Sequence, residues 1–228
     1  MEILRTQLLD PEEADYLRYL LDKKNDWLDG KITAGRLAAP VKNNLQFNHE
    51  DPVFSQVSDK IAEKFIGNAS TSSFSMAKML SPVIISKSGL GQGYGWHVDE
   101  PHMNINQSTF RSDLSYTVSL TDPDEYDGGE LIIKQQSMDI TVKLNKGEIV
   151  VYPTTQIHQV KEVTKGDRIV CVGWVSSNII DNEVRYSIYQ LAKTLNHLIN
   201  THGNSEEVLR LSNATNNLIR KFSSCPQN

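Results

Sequence analysis

The chain has 228 residues, of which 39% are hydrophobic and 22% are charged, and its formal net charge is −5. This length and composition are those of one globular domain, with or without an appendage. The lack of a basic run argues against nucleic-acid binding. Because no run of about 18 apolar residues occurs, we expect no membrane-spanning helix and no membrane partner.

Cysteine content and the first residues bear on the compartment. Cys171 and Cys225 are the two cysteines, too few for a disulfide framework. The N-terminus has no long apolar segment of the kind that signal peptides carry. These features predict a cytoplasmic protein.

Two helices are predicted near the N-terminus, and each starts at an Asp-Pro pair. Asp10 caps the first, whose apolar stripe runs to about Lys24, and Asp51 caps the second, which ends at Gly67. Both are expected to pack against a sheet as buttresses. Between them lies Val41-Lys42-Asn43-Asn44, whose role these patterns do not reveal.

From residue 73 the hydrophobic period is that of strands. On one of them Ser115, Thr117 and Ser119 share a face, which suits either the inside of a polar cavity or the solvent side. Short strands at this spacing predict a mainly β fold, an antiparallel jelly roll or double-stranded β-helix, with flanking helices. The predicted strands are 73–80, 83–87, 113–120, 130–134, 139–144, 148–152, 156–161 and 168–176.

After Asp181 the period is helical again. One helix runs to about His202 and a second opens at Ser205. We therefore predict a domain at 1–178, with its jelly-roll core at about 73–178. Residues 179–228 form a C-terminal helical extension that packs either on the core or on a partner in a homodimer.

A His-x-Asp pair is the main candidate for chemistry. On an extended segment, side chains two residues apart point to one face, so His97 and Asp99 converge while Val98 and Glu100 face away. His158 is the candidate for a third ligand, which would complete a two-histidine, one-carboxylate metal site. Such a pair also occurs by chance. His102 is a rival ligand, but it follows Pro101 and is expected in a loop at the cavity mouth.

Several further motifs follow one another in a fixed order around this pair. They are Val41-Lys42-Asn43-Asn44, Tyr94-Gly95-Trp96-His97-Val98-Asp99, Arg111-Ser112-Asp113-Leu114-Ser115, Tyr126-Asp127-Gly128-Gly129-Glu130-Leu131, Gly147-Glu148-Ile149-Val150-Val151-Tyr152-Pro153, His158 and Arg168. On these motifs the sequence resembles the Fe(II)/2-oxoglutarate-dependent dioxygenases, most closely the PKHD-type hydroxylases, which are related to prolyl 4-hydroxylases. The resemblance covers nearly the whole chain.

The resemblance implies a site and a reaction. His97, Asp99 and His158 would bind Fe(II), and Arg168 would bind the distal carboxylate of 2-oxoglutarate. The implied enzyme uses O2, with L-ascorbate as an accessory cofactor, hydroxylates an unactivated C–H and releases succinate and CO2. The substrate would be a prolyl, lysyl or other amino-acid residue of a protein or peptide, a free amino acid, or a small metabolite. Relatives often carry a co-substrate tyrosine where this chain has Ser88.

Three aromatic residues near these motifs each have two possible roles. Trp174 packs beside the co-substrate or is plain core, and Tyr94 and Trp96 gate the pocket or fill the barrel wall. The loop 101–110 is expected to govern substrate selectivity. Histidines expected at the surface or at helix ends are His49, His197 and His202.

Two non-catalytic hypotheses stand beside the enzyme. One is a cupin-like module that binds a metal or small molecule without turnover. The other is an interaction scaffold that uses the terminal helices. Four residues of the implied site, three ligands and Arg168, are all present, which favours the enzyme.

Overall fold

Two antiparallel sheets and five α-helices make up the computed structural model, which describes residues 3–105 and 108–224. The helices are α1 (Pro11–Lys24), α2 (Pro52–Gly67), α3 (Ala69–Ser75), α4 (Asn182–His202) and α5 (Glu206–Phe222). The strands are β1 (Leu4–Gln7), β2 (Trp27–Asp29), β3 (Lys42–Asn43), β4 (Leu45–Phe47), β5 (Ala77–Leu80), β6 (Ile84–Ser88), β7 (Gly93–His97), β8 (His102–Ile105), β9 (Ser108–Arg111), β10 (Leu114–Ser119), β11 (Asp127–Gly128), β12 (Leu131–Ile133), β13 (Ile140–Val142), β14 (Glu148–Pro153), β15 (His158–Val160), β16 (Val163–Lys165) and β17 (Arg168–Ser177).

The strands form a jelly roll. The major sheet has the order β1-β14-β10-β17-β6-β4-β2, with β5 also paired to β17. The minor sheet has the order β13-β12-β15-β7-β3, and successive strands of the chain cross repeatedly from one sheet to the other. Two short pairs, β8-β9 and β11-β16, lie outside these sheets. The predicted mainly β jelly roll with flanking helices is confirmed.

Strand β10 shows how the two faces of the major sheet differ. Leu114, Tyr116 and Val118 are fully buried in the main core, where they pack with apolar residues of α1, α2 and α3. The residues between them point to the other face, where Thr117 lines a cavity between the sheets. Strand alternation therefore separates a helix-covered apolar face from a polar inner face.

The N-terminal helices begin as their sequences predict. The side chain of Glu13 accepts a hydrogen bond from the backbone of Asp10 at 3.1 Å, and the side chain of Asp51 accepts one from the backbone of Val53 at 2.8 Å. Both bonds satisfy or organise donors at a helix start. α1 and α2 then bury their apolar stripes against the major sheet.

The predicted strand 73–80 is wrong in its first four residues, because 73–75 belong to α3 and Met76 is the left-handed C-cap of that helix. Asn68 is the reason, because its side-chain oxygen accepts hydrogen bonds from the backbone of Ser70 at 3.0 Å and of Thr71 at 3.2 Å. A residue that seemed only to end one helix therefore also caps the next. The short pair β2 and β4 was not predicted, and it widens the major sheet.

The two C-terminal helices start at Asp181 and Ser205, whose side chains accept from the first turn of α4 and α5. The Tyr189 ring of α4 meets the ring of Phe74 edge-on, with centroids 5.3 Å apart. This contact joins α4 to α3. The predicted domain boundary at residue 178 and the predicted homodimer stay predictions. No helix in the described ranges is both long and apolar enough to span a membrane. Cys171 is buried as a free thiol, and Cys225 lies outside the described residues.

Candidate active site

His97 and His158 face each other on neighbouring strands of the minor sheet. β7 and β15 pair antiparallel in a register that sets His158 directly opposite His97. Directly opposed residues point to the same face of a sheet, and the two ring centroids are 4.2 Å apart. Sheet pairing thus joins two histidines that are sixty-one positions apart in the sequence.

Backbone contacts orient both imidazoles. Nδ1 of His97 donates to the carbonyl of Gly95 at 2.8 Å, and Nδ1 of His158 donates to the carbonyl of Gln156 at 3.0 Å. A carbonyl only accepts, so each Nδ1 carries a proton, and in the neutral imidazole this leaves the lone pair on Nε2. Holding the far nitrogen in this way is typical of metal-binding histidines.

Asp99 lies two residues beyond the end of β7. Its Oδ2 accepts hydrogen bonds from the Ser115 hydroxyl at 2.7 Å and from Trp174 Nε1 at 2.8 Å. Its Oδ1 points to the histidines, 3.9 Å from Nε2 of His97 and 3.8 Å from Nε2 of His158. Side chains of the major sheet therefore aim a carboxylate at the minor sheet.

These three side chains are the one group of three or more potential metal ligands in the described part of the chain. Their ligand atoms lie within 4.8 Å of one another. Burial, followed by the neighbouring His158 ring, lowers the pKa of His97 to about 4. His97 is therefore neutral at neutral pH, the form that binds a metal ion.

A cavity of about 970 Å³ opens beside the three side chains, between the two sheets. This volume lies at the upper end of the roughly 300–1,000 Å³ that is usual for small-molecule sites. Polar and charged side chains from both sheets line it. They are Thr33, Lys42, Asn44, Gln46, His49, Ser81, Ser86, Ser88, Tyr94, His97, Asp99, Glu100, Asn104, Thr117, Tyr152, His158 and Arg168.

Arg168 begins β17 on the wall of the cavity opposite the histidines. Only 6% of its surface is exposed, and no ion pair in the described ranges uses its guanidinium. Burial lowers the pKa of Arg168, and the nearby phenols of Tyr126 and Tyr152 act in the opposite direction. The pKa of an arginine is so high that the group stays charged. A buried cation that lacks a carboxylate partner is a site for an anion.

Gly129 explains part of the motif that contains it. Its φ is +68°, and a Cβ placed there would lie 2.9 Å from Cδ of Arg168 and 2.9 Å from the ring of Tyr126. Glycine therefore permits both the left-handed turn and the close packing of this arginine. Ser88 pairs with Arg168 across β6 and β17. The phenols near Arg168 thus come from Tyr126 and Tyr152, not from position 88.

Lys42 lines the cavity from β3, at the edge of the minor sheet. Its side chain is buried, its Nζ donates to the Thr33 hydroxyl at 3.0 Å, and Nζ lies 5.1 Å from the centroid of the Tyr94 ring. The Tyr94 ring in turn stacks on the imidazole of His97, with ring centroids 3.5 Å apart. Burial lowers the pKa of Lys42 to about 8, so the ammonium form predominates at pH 7.

The other histidines stay outside the ligand group. His102 is exposed and its neighbours Pro101 and Met103 line the cavity, so it lies at the cavity mouth as predicted, but on strand β8 and not in a loop. His49 was expected at the surface, and it is exposed but also lines the cavity rim. Of the loop 101–110, residues 106 and 107 lie outside the described ranges. Two histidines lie on α4 away from the cavity, namely His197 and His202.

Sequence patterns left several cavity residues unassigned. The alternating hydroxyl row on β10 was open to two readings, and Ser115 now shows that it faces the cavity. Trp174 is half-buried and lines the cavity, and its indole N–H donates to Asp99. Lys42, Tyr126 and Tyr152 had no signal beyond their motifs, because their positions depend on contacts between distant strands.

Comparison with known proteins agrees with this geometry. Residues 83–176 match the family model of the 2OG-Fe(II) oxygenase superfamily. A PKHD-type hydroxylase of Prochlorococcus marinus (strain MIT 9211) is 41% identical over 97% of this chain and 99% of its own length.

Solved structures resemble the fold at much lower identity. A prolyl-4-hydroxylase of Pseudomonas putida superposes with a TM-score of 0.54 and 13% identity, over 77% of this chain and 92% of its own. A prolyl hydroxylase of Trichoplax adhaerens, in complex with a hypoxia inducible factor peptide fragment, superposes with a TM-score of 0.53 and 12% identity. The superposition covers 82% of this chain and 86% of the Trichoplax chain. These two likenesses concern the fold.

The extent of the match to the Prochlorococcus hydroxylase decides the family, because it runs through the N-terminal helices, both sheets and the C-terminal pair. The superfamily match covers all three potential ligands and Arg168. The chain belongs to the PKHD-type hydroxylases of the 2OG-Fe(II) oxygenase superfamily, and it is an iron- and 2-oxoglutarate-dependent dioxygenase.

Proposed function

We propose that His97, Asp99 and His158 hold the iron and that Arg168 holds the distal carboxylate of 2-oxoglutarate. The observation that carries this proposal is the convergence of two Nε2 atoms and Asp99 Oδ1 at one point of a cavity that also contains an unpaired, buried guanidinium. Two neutral imidazoles and one carboxylate are the donor set that Fe(II) oxygenases use.

The residues present fit an iron ion. Both Nδ1 atoms are occupied by backbone carbonyls and Asp99 Oδ2 is occupied by two donors, so each side chain has one free ligand atom and that atom faces the others. Bound ferrous iron would supply the redox chemistry by which O2, 2-oxoglutarate and the C–H of the substrate are converted to succinate, CO2 and the hydroxylated product. Arg168 orients the co-substrate through a bidentate pair, and Tyr94 shields one face of His97.

For the primary substrate we infer an amino-acid residue, prolyl or other, in a protein, a peptide or free form. The Pseudomonas and Trichoplax neighbours are prolyl hydroxylases, and the latter was solved with a peptide. The rim residues Pro101, Met103 and Asn104 contact the space beside the metal ligands, which supports a role in selectivity. We further infer L-ascorbate as an accessory reductant, a cytoplasmic location, and a catalytic domain at 1–178 with 179–228 as its extension.

Succinate formation tests the proposal. Purified protein with Fe(II) and 2-oxoglutarate is expected to release succinate in the presence of O2 and none under anaerobic conditions, even at the slow rate of turnover without a primary substrate. A cupin-like binding module would take up metal but release no succinate. Absence of both iron uptake and succinate release would overturn the proposal.

The hydrogen bonds to Asp99 predict a positioning role for Trp174. Trp174→Phe is expected to weaken Fe(II) affinity by about 10–100-fold, the usual effect of losing a partner that orients a metal ligand. Anaerobic Fe(II) titration measures this. Trp27→Phe is the matched control, because Trp27 contacts Phe47 and lies away from the cavity. Equal Fe(II) affinity in wild type and Trp174→Phe would show that the indole N–H does not position Asp99.

A further inference from the structure

One end of the cavity is built from buried polar side chains that the reaction as described does not use. Lys42 is 5% exposed and Gln46 is 4% exposed, and both line the cavity together with Thr33. The Thr33 hydroxyl accepts from Lys42 Nζ at 3.0 Å and also contacts the side-chain amide of Gln46. Lys42 comes from β3 at the edge of the minor sheet, Gln46 comes from β4 of the major sheet, and Thr33 ends a 3₁₀ turn that precedes β3.

The ammonium of Lys42 lacks a nearby counter-ion. No ion pair within 4.0 Å involves its Nζ in the described ranges, and Thr33 is the one hydrogen-bond acceptor that they offer it. Asp99 and Asp29 attract the charge from farther away, and Glu100 lines the cavity as an exposed residue at the rim. An ammonium has three donors, so capacity remains for a ligand.

Charge balance in the loaded site also leaves Lys42 without a partner. Given the proposed function, neutral His97 and His158, anionic Asp99, ferrous iron, the 2-oxoglutarate dianion and cationic Arg168 carry no net charge together. Lys42 then adds one positive charge on the buried wall of the cavity, and the other charged residue that lines it in the described ranges is Glu100, which is exposed at the rim. Burying a charge is costly unless it is paired, so a further anion at Lys42 would be stabilised there.

The ammonium group of Lys42 lies near the proposed metal ligands. Lys42 Nζ lies 5.1 Å from the Tyr94 ring, and Tyr94 stacks on the His97 imidazole with centroids 3.5 Å apart. An anion on Lys42 would therefore place the rest of its molecule beside the metal ligands. One ammonium with one hydroxyl matches a singly charged carboxylate better than a doubly charged phosphate.

We propose that Lys42 and Thr33 bind a carboxylate of the primary substrate. This inference rests on the proposed function and names the substrate class: an amino acid or peptide that presents a carboxylate within reach of the hydroxylated carbon. Lys42 is thus a specificity-determining residue, separate from the arginine that takes 2-oxoglutarate.

Paired probes test the inference. The probes are N-acetyl-L-amino acids, each compared with its own carboxamide and with the N-acetyl amides of aspartate and glutamate, which carry a side-chain carboxylate only. Binding to the Fe(II) and 2-oxoglutarate complex is measured anaerobically by calorimetry. We expect at least one carboxylate probe to bind about ten-fold or more tightly than its uncharged partner. The probe class that binds more tightly shows whether the substrate carboxylate is the α-carboxylate or a side-chain carboxylate.

Three variants assign the effect to Lys42. Lys42→Met removes the charge with little change in shape and is expected to abolish the preference for the carboxylate while the affinity for 2-oxoglutarate stays unchanged. Lys42→Arg is expected to keep part of the preference. Lys87→Met is the matched control, because Lys87 also lies over an aromatic ring, that of Trp27, but outside the cavity.

Three outcomes would overturn the inference. They are a panel with no carboxylate preferred over its amide, a preference that survives in Lys42→Met, and a loss of iron or 2-oxoglutarate affinity in Lys42→Met in place of the loss of preference. Succinate release without any probe is measured on the same wild-type preparation. If that release is absent, the proposed function fails; if it is present without a carboxylate preference, only the role of Lys42 fails.

Discussion

Replacing His158 with alanine is expected to reduce O2-dependent succinate formation to background and to abolish stable Fe(II) binding. Nε2 of His158 is one of three converging ligand atoms, and the described residues contain no other group that offers three. Two remaining ligands hold the ion less tightly and leave its position open to water. Anaerobic Fe(II) titration and succinate assays measure the two effects separately.

His102→Ala is the matched control for this experiment. His102 is also a histidine near the cavity mouth, but it is exposed at the start of β8 and does not belong to the ligand group. Iron binding and turnover are expected to persist in this variant. The reverse pattern, with activity lost in His102→Ala and kept in His158→Ala, would identify His102 as the ligand.

Replacing Arg168 with methionine is expected to raise the KM for 2-oxoglutarate by about 30-fold or more. The guanidinium is buried and free of ion pairs in the described ranges, so a bound carboxylate would lose its one cationic partner. Truncation of one partner in a buried, hydrogen-bonded charge pair costs about 2 kcal/mol or more. Initial rates at varied 2-oxoglutarate concentration give the KM.

Arg168→Lys separates charge from geometry. Lysine keeps the positive charge but loses the planar, two-pronged donor, so an intermediate KM is expected. Arg5→Met serves as the control, because Arg5 pairs with Glu148 and its side chain is 43% exposed. If Arg168→Met left the KM for 2-oxoglutarate unchanged while thermal stability fell, the arginine would be a structural residue.

Local signals in the sequence account for much of the fold. Asp10 and Asp51 predicted two helix starts that the structure contains, and the alternating pattern of β10 predicted its buried and polar faces. Asn68 shows the limit of such signals. One asparagine after Gly67 is compatible with the end of a helix and with the start of another, and the hydroxyl-rich residues that follow have no strong preference for either state.

The active site was predictable in its residues and less so in its arrangement. His97 and Asp99 stand two apart, and His158 and Arg168 followed from the order of motifs. The structure added the orientation of the carboxylate, because Asp99 lies beyond β7 and is held by Ser115 and Trp174. Those two partners lie 16 and 75 positions away, too far for any local pattern to connect them.

By itself the sequence determined the class of fold, the family and the residues with chemistry to offer. Hydrophobic periodicity and helix caps are local signals, and the order of motifs can be followed along the sequence, so none of them requires a three-dimensional structure. Only the tertiary structure decided which nitrogen of each histidine is free, which oxygen of Asp99 faces the ligands, and that Lys42 is buried in the same cavity. The physical reason is that strand register and the approach of two sheets bring these groups together, and both are set by packing over the whole domain.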